Sequence, residues 1–314
     1  MLNSIAPTAV SQAQDGSHLS SLSSYDSLVL WAEKTLAQAK KEHGEQFLDH
    51  FERDRKGNLK TPDAVRKLLE PVAYDVYADQ EVSTPAQRLN SAEQEEMLKE
   101  LATLTEGDAC RISAQSAQDN VDVKRCPPLE ALEKDKAQAK RSHFFILPHD
   151  LKQRRAMQDG AGTARLSLSV SPRDVVAVAK QLISLFPTSA GFLENFKIIA
   201  ACEQGKRTDS IVVYLNRADP ELAQKLATQL IDLTNAAVWQ THTPFGMEFL
   251  APGIAYAEFS PHAKSGSFGA ERSAIVAEAL LLHLEFGIPI KEALEDVLKE
   301  NGYSVQNPAV LSGS

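Results

Sequence analysis

The residue whose type and position most clearly suggest chemical reactivity is Lys197, which lies between Phe196 and Ile198 in an apolar stretch. The stem of this lysine must run beside apolar neighbours, and partial desolvation of an ammonium favours the neutral amine, the form that can remove a proton from a substrate. The alternative is that the ammonium reaches solvent, as long lysine side chains commonly do. Lys197 is therefore predicted to be either a catalytic base or an ordinary surface lysine.

Other residues between positions 164 and 216 are of the types that bind anions. Arg165 has a planar group that can form paired hydrogen bonds with a phosphate, and Lys206 and Arg207 form a basic turn that adds charge. Tyr214 can donate a hydrogen bond, although it is equally compatible with a half-buried tyrosine of a strand.

Alternating polar and apolar residues predict the strands that position these groups. Apolar side chains occupy every second position in residues 164–170 and again in residues 210–216, while residues 175–186 show helical spacing. If these strands pair with residues 196–199 in one sheet, helices cover the apolar face. The opposite, open face then carries Arg165, Ser167, Lys197, Tyr214 and Asn216.

A cationic run precedes this region, with seven Lys or Arg against two Asp in residues 134–155. Such a run is commonly a solvated face. It encloses an apolar strand at residues 144–147, however, which fixes the flanking cations near packed structure. Lys152, Arg154 and Arg155 are therefore predicted to belong to a binding patch.

Composition excludes several classes of protein. The formal net charge of -9 argues against general nucleic-acid binding, and no run approaches the ~18 apolar residues of a membrane helix. The three cysteines, Cys110, Cys126 and Cys202, are odd in number and lack metal-site spacing. We expect a reducing compartment, no metal and no cofactor.

The first 24 residues are rich in Ser, Ala and Gln and lack periodicity, so they are predicted to be disordered. They are either a ragged terminus or an uncleaved export signal. For the rest of the chain, the pattern predicts helices at 27–41, 61–69 (ended by Pro71), 91–107 (capped by Ser91), 219–233, 270–286 and 289–301, with loop-rich stretches at 246–253 and 260–269.

Standard enzyme motifs are absent from the sequence. Gly160 and Gly162 lack the third glycine of a dinucleotide loop, and the surroundings of Ser267 miss a nucleophile elbow by one residue. The chain also has no phosphate loop and no His-Glu-x-x-His motif.

The sequence nevertheless resembles the HopA (HrmA) family of type III secreted effectors from plant-pathogenic bacteria and their relatives. The resemblance runs from about Trp31 to Leu311. Its anchors are residues 91–98, 164–170, 208–216, 242–244, 256–258, 301–303 and 307–309, together with Met247, Leu250, Gly253 and Arg272. It implies an α+β effector that acts on, or is sensed by, host immune signalling, and it favours the export signal at the N-terminus.

A weaker resemblance concerns mechanism. The order of strand, helix, Phe-Lys-Ile, basic turn and Val-Tyr-Leu is similar to that of phosphothreonine lyases, which remove phosphate by β-elimination, and HopA-like proteins also occur as the presumed lyase of some lanthipeptide pathways. This resemblance places Lys197 at the base position and Tyr214 at the tyrosine, with Lys206 or Arg207 near a phosphate-binding arginine. Ser167 stands at the position of the acid histidine, and a serine is a poor acid.

Together these observations predict an α+β fold, with a mixed or antiparallel sheet, helices on one face and an N-terminal helical subregion at 28–105. A secretion signal is predicted at 1–24 and a single effector domain at 25–314, with its sheet at 140–314. The predicted function is a secreted effector that binds an anionic or phosphorylated host immune-signalling protein in the host cytoplasm; the alternative is a phosphoserine/phosphothreonine lyase. A secretion chaperone is the other candidate partner. The predicted catalytic and binding residues are Lys197, Tyr214, Arg165, Ser167, Lys206, Arg207, Asn216, Arg272, Lys152, Arg154 and Arg155.

Overall fold

The structure is a computed structural model of the chain. It describes residues 22–45, 47–50, 59, 61–78, 88–104, 110–116, 135–148, 163–189, 191–260 and 267–312.

These residues contain both helices and strands, which confirms the predicted α+β class. The helices are α1 (Ser24–His43), α2 (Pro62–Ala78), α3 (Ser91–Thr103), α4 (Lys136–Lys140), α5 (Val175–Leu185), α6 (Pro220–Leu233), α7 (Phe268–Phe286) and α8 (Ile290–Glu300). Short 3-10 helices lie at Phe47–His50, Ala201–Glu203 and Ala236–Val238. The strands are β1 (Cys110–Ser116), β2 (Ser142–Pro148), β3 (Ala164–Leu168), β4 (Leu193–Ile198), β5 (Ile211–Leu215), β6 (Glu248–Ala251) and β7 (Ile254–Glu258).

All seven strands form one sheet in the order β1-β2-β4-β5-β3-β7-β6, and every neighbouring pair is antiparallel. Directly paired residues share a face of a sheet. Lys197 pairs with Val212, which in turn pairs with Ser167, and Arg165 pairs with Tyr214. The register therefore places the predicted polar residues of β3, β4 and β5 on the same face.

Two apolar cores lie on opposite sides of this sheet. On one side, α5 and α6 pack against Leu166, Val213 and Phe196, as the alternation predicts. On the other side, α1, α2, α7 and α8 share a core with Ala255 and Ala257 of β7. The polar face is thus not open across its whole width, because the N-terminal and C-terminal helices together cover its β3–β7 side.

Helix α2 differs from its prediction, because it continues through Pro71 to Ala78 instead of ending near Leu69. A proline inside a helix removes one hydrogen bond and crowds the preceding turn. Val72, Ala73 and Tyr77 are nevertheless buried beyond it. Packing of this last part against α1 and α7 offsets the local cost, and it is this part that reaches the candidate site.

Strand β6 lies within 246–253, which the sequence analysis predicted to be loop, and β7 lies between that stretch and the predicted loop at 260–269, where no element was predicted. Strand β7 is buried along its whole length, so its residues do not alternate between polar and apolar. A strand covered on both faces lacks the period-two pattern, which explains why the pattern did not reveal it.

Smaller differences concern helix starts. Asn90, and not Ser91, caps α3, through a reciprocal capping box with Glu93. Ser171 and Pro172 are typical of an N-cap and a first helical position, but helix α5 begins only at Val175. Asp219 caps α6 with Pro220 in its first turn, as predicted.

Within the described residues, no helix combines the length and apolar character that a membrane span requires. The predicted signal at 1–24 and the binding patch of Lys152, Arg154 and Arg155 fall mainly or wholly outside the described residues, and the division into signal and domain stays a prediction.

Candidate anion-binding site

A cluster of charged side chains lies over the centre of the polar sheet face. Strand β3 supplies Arg165, β4 supplies Lys197, and the turn before β5 supplies Arg207 and Asp209. We call these four residues the cationic cluster. The sequence predicted that Arg165, Lys197 and Arg207 belong to one site, and the structure brings them together around Asp209.

Arg165 is almost completely enclosed, with 3% of its surface exposed. Its Nη2 donates hydrogen bonds to the Tyr77 hydroxyl at 2.7 Å and to the Ser167 hydroxyl at 2.8 Å. Its guanidinium lies 4.8 Å from the centre of the Phe268 ring, a cation–π distance. Its Nε is buried and has no hydrogen-bond partner among the described residues. The guanidinium is therefore held in a fixed orientation without being fully satisfied.

Asp209 is the carboxylate that the cations surround. Arg207 donates to its two oxygens at 2.8 and 3.1 Å, and Arg165 Nη2 lies 3.8 Å from Oδ2. Burial alone raises the pKa of Asp209, but the charge and hydrogen bonds of Arg207, helped by Arg165 and Lys197, lower that pKa to about 2. Asp209 is therefore ionised at neutral pH.

Lys197 approaches the cluster from β4 and is half-buried. Among the described residues, its ammonium forms neither a hydrogen bond nor an ion pair within 4.0 Å. It lies close enough to affect the titration of Asp209 and of His143, a residue of β2. Lys197 thus lies near the other three residues of the cluster, but its ammonium makes no direct contact with Asp209.

The cluster carries more positive than negative charge. Asp209 is the one carboxylate among the described residues within 4.0 Å of either arginine. Two arginines therefore contact a single carboxylate, and Lys197 adds a third positive charge nearby. Removing cations from water without matching anions costs free energy, which an incoming anion would recover.

Helices α2 and α7 close one side of the cluster. The ring of Tyr77 packs against Trp31 and Phe268, with ring centres 5.2 and 6.0 Å apart. Burial raises the pKa of the Tyr77 phenol far above its ordinary range, so the hydroxyl stays protonated. At Gly269, a Cβ atom would approach the Tyr77 ring to 2.7 Å, so only glycine permits this close crossing of the two helices.

The remaining predicted residues of β5 and its turn lie around the cluster and not inside it. Tyr214 is half-buried on the same face, beside Arg165, and forms no side-chain hydrogen bond within the described part of the chain. Asn216 is exposed beyond the far end of β5, about 20 Å along the strand from the turn at residue 210. Lys206 points to solvent next to Arg207.

Arg272 lies in a separate network in α7. It is fully buried, donates to the Pro308 carbonyl at 2.9 Å and lies 3.5 Å from the centre of the Tyr303 ring. Its Nη1 lies 3.5 Å from Glu271, a carboxylate that also accepts the Tyr303 hydroxyl. These contacts attach the C-terminal segment to α7, and a binding role for Arg272 stays a prediction.

The sequence reasoning missed three residues that the fold brings to the site: Asp209, Tyr77 and His143. Asp209 carried a signal, because it follows Arg207 by two residues in a turn. Tyr77 carried none, since it is 88 residues away from Arg165 along the chain. His143 was visible only as one member of the basic run at 134–155.

The charge balance of the cluster disfavours a metal cation. In addition, no group of three His, Cys, Asp or Glu side chains with metal-site geometry occurs among the described residues.

Comparisons with known proteins agree with this architecture. The profile of the HopA1 effector protein family matches residues 134–310, more than half of the chain. The effector protein from Pseudomonas syringae pv. syringae strain 61 has a similar structure, with a TM-score of 0.70 and 24% identity over 94% of this chain and 100% of that one. The effector protein from Pseudomonas syringae pv. tomato strain DC3000 has a TM-score of 0.64 and 22% identity, over 91% and 99%. A search of curated proteins found no significant match.

Proposed function

Because this chain belongs to the HopA1 effector protein family, and is therefore a type III effector, we propose that it binds a phosphorylated host protein through the cationic cluster. Its place of action is the host cytoplasm, and its partner belongs to immune signalling, as the family resemblance implies.

The observation that carries this proposal is the charge imbalance around Asp209. Arg165, Arg207 and Lys197 contribute three positive charges and Asp209 one negative charge, which leaves an excess of two. A phosphate monoester carries nearly two negative charges at neutral pH and has three strong acceptor oxygens. The charge and the donor types of the cluster therefore match a phosphoserine or phosphothreonine side chain.

Arg207→Met tests the proposal, because it removes one cation while Arg165 remains near Asp209. Losing a charge-assisted hydrogen bond of about 1.5–3 kcal/mol lowers affinity roughly tenfold to a hundredfold. Isothermal titration calorimetry with inorganic phosphate and with phosphothreonine peptides measures this change in affinity. The matched control is Arg217→Met, which removes an arginine whose side chain is 62% exposed outside the cluster.

Equal binding by the wild type and Arg207→Met would contradict the proposal, as would the absence of phosphate binding by the wild type. The Arg217→Met control is expected to bind like the wild type.

The basic run supplies a second contact for the same partner. Lys152, Arg154 and Arg155 follow β2 in the sequence, and β2 adjoins the strand of Lys197. Reversing these three charges is expected to abolish the host response while the circular dichroism spectrum stays unchanged. A normal host response from this variant would remove the run from the proposal.

A second candidate function is β-elimination of phosphate, and the unpaired ammonium of Lys197 favours it. In that reaction a neutral Lys197 takes the α-proton, the C–H electrons form the carbon–carbon double bond, and the C–O bond breaks as phosphate departs with a proton. Ser167, which accepts from Arg165 and retains one hydroxyl proton, is a poor source of that last proton.

Mass spectrometry separates the two candidates. Incubation with phosphothreonine peptides would yield the dehydrated product if the protein is a lyase, and Lys197→Met would abolish this product. A broad panel of phosphopeptides that bind without any dehydration leaves binding alone as the function.

Translocation of the protein into host cells is tested independently of the cationic cluster. A translocation reporter fused to residues 1–50 is expected to reach host cells from a strain with a working type III apparatus and to stay behind in a strain without it.

A further inference from the structure

His143 adds an uncharged group to the cationic cluster, and neither its role nor its place there follows from the family comparison. It lies on β2, next to the strand of Lys197, and two positions from Phe145, which pairs directly with Lys197. Residues two apart on a strand share a face. His143 therefore lies on the same side of the sheet as Arg165, Ser167 and Lys197.

One backbone hydrogen bond fixes the proton position of this imidazole. The Ala200 N–H donates to His143 Nδ1 at 3.0 Å. A ring nitrogen that accepts a hydrogen bond carries no proton, so the proton of the neutral ring is on Nε2. Ala200 lies two residues after the end of β4 and precedes the 3-10 helix Ala201–Glu203, so the bond also anchors the start of the segment that leads to Arg207 and Asp209.

Nε2 is left available by this arrangement. It forms no hydrogen bond within the described residues, and the His143 side chain is only partly buried. The nitrogen that carries the proton is therefore not engaged by another described residue.

The surroundings keep the ring neutral. Burial, followed by the charges of Lys197 and Arg207, lowers the pKa of His143 to about 3, and the charge of Asp209 opposes this only in part. A neutral ring in this tautomer can donate from Nε2 at any pH near neutrality.

We propose that His143 is a hydrogen-bond donor of the anion site, giving its Nε2–H to an oxygen of a bound phosphate monoester dianion. The inference rests on the proposed function and specifies the ligand more closely. Arg165, Lys197, Arg207 and His143 all donate, whereas the carboxylate of Asp209 is engaged by Arg207. A phosphate oxygen that carries a proton would lose a hydrogen bond at this site, so the dianion binds in preference to the monoanion.

Two substitutions separate the donor role of His143 from its structural role. In His143→Asn, the side-chain oxygen can replace Nδ1 as acceptor for Ala200 N–H, but no group reaches the Nε2 position. In His143→Gln, the terminal amide NH₂ can replace the Nε2–H donor, while the Ala200 contact is lost. A purely structural role predicts that Asn is the better replacement, and a donor role predicts that Gln is.

The binding experiment titrates wild type, His143→Asn, His143→Gln and Arg207→Met with inorganic phosphate at pH 8, where phosphate is mainly dianionic. The melting temperature of each variant is measured alongside as a control for folding. We expect His143→Gln to stay within about threefold of the wild-type affinity, and His143→Asn to lose about tenfold, the usual effect of one donor to a charged group.

The outcomes are distinguishable. Wild-type affinity in His143→Asn, or equal losses in both His143 variants, overturns the donor role and leaves the proposed function intact if Arg207→Met is still impaired. Absence of phosphate binding in the wild type overturns both. A second readout is ¹⁵N NMR of the imidazole, where addition of phosphate is expected to shift the protonated Nε2 signal more than Nδ1. An unchanged Nε2 signal at saturating phosphate contradicts the inference.

Discussion

Two buried arginines lie on the same phenylalanine ring and differ in the balance of charge around them. The guanidinium groups of Arg165 and Arg272 are 4.8 and 5.0 Å from the centre of the Phe268 ring. Arg272 is enclosed by backbone carbonyls, the Tyr303 ring and its neighbour Glu271. Arg165 shares Asp209 with Arg207 and faces Lys197.

This difference shows that burial of an arginine does not by itself indicate a function. Around Arg272, carbonyl dipoles and one carboxylate balance one cation. These contacts hold the C-terminal segment against α7. Around Arg165, two arginines share one carboxylate and Lys197 adds a further positive charge, so an incoming anion would balance the excess. The sequence presents both arginines as equivalent candidates, and their charge surroundings separate them.

The largest effect is expected from Arg272→Ala. Removing this cation leaves the Pro308 carbonyl without its donor and the buried Glu271 carboxylate without its counter-ion, which costs about 3–5 kcal/mol of unfolding free energy. Urea denaturation measures that loss. The fraction of the variant that stays folded is expected to bind phosphate with wild-type affinity. A variant of normal stability that no longer binds phosphate would reverse the roles assigned to the two arginines.

A smaller loss is expected from Asp209→Asn, and here the ligand compensates. Without the carboxylate, the buried cations repel one another, and the free energy of unfolding falls by about 3 kcal/mol in phosphate-free buffer. Each tenfold rise of phosphate above its dissociation constant restores about 1.4 kcal/mol.

Melting temperatures in phosphate and in chloride of equal ionic strength measure this compensation. Arg272→Ala is the control, because phosphate is not expected to rescue it more than it stabilises the wild type. Equal phosphate responses in Asp209→Asn and the wild type, together with unchanged stability, would show that Asp209 does not balance the cluster.

The two regions are also expected to lose stability at opposite ends of the pH range. The pKa of His143 is lowered from 6.5 to about 3, so below pH 6.5 the unfolded chain binds a proton that the folded chain rejects. The free energy of unfolding therefore falls as pH drops from 6.5 towards 3, by up to ~1.4 kcal/mol per pH unit. Asp209, whose pKa is lowered to about 2, adds its loss only below pH 3.8.

The Arg272 network responds at the alkaline end instead. Burial, together with Glu271, raises the pKa of Tyr303 from 10.0 to about 12. Its contribution is fully present below pH 10 and is lost as pH rises through 12. Chemical denaturation across the pH range is expected to show a flatter acid limb in His143→Asn and a flatter alkaline limb in Tyr303→Phe. An unchanged acid limb in His143→Asn would contradict the assignment of the neutral ring.

The sequence predicts the part of the site that depends on local pattern. Alternation of polar and apolar residues along β3 and β5 places Arg165 and Ser167 on a polar face of the sheet. The same alternation makes the opposite face of these strands apolar. Charge in the turn before β5 predicts that Arg207 contributes. These inferences need only the period of a strand, which is a property of a few consecutive residues.

The rest of the site depends on contacts between distant parts of the chain. His143 reaches the cluster because β2 pairs with β4, and no local pattern determines which strands become neighbours. Tyr77 arrives through a helix that continues past a proline, and the continuation is stabilised by packing against α7. Arg272 shows the opposite case: its type and its place in the family resemblance favour a binding role, whereas the structure shows it fully buried in contacts with the C-terminal segment.

The hydrogen bond between Tyr77 and Arg165 has a practical consequence for mapping activity by truncation. A shortened protein beginning at residue 134 would retain the whole segment that the family profile matches, yet it would lack α1 and α2. Ala255, Ala257 and Phe268 would then be exposed to water, and Arg165 would lose its phenol acceptor. Such a fragment is expected to aggregate. Its inactivity would then reflect the lost packing of α1 and α2, and would not be evidence that the first 133 residues contact the host partner.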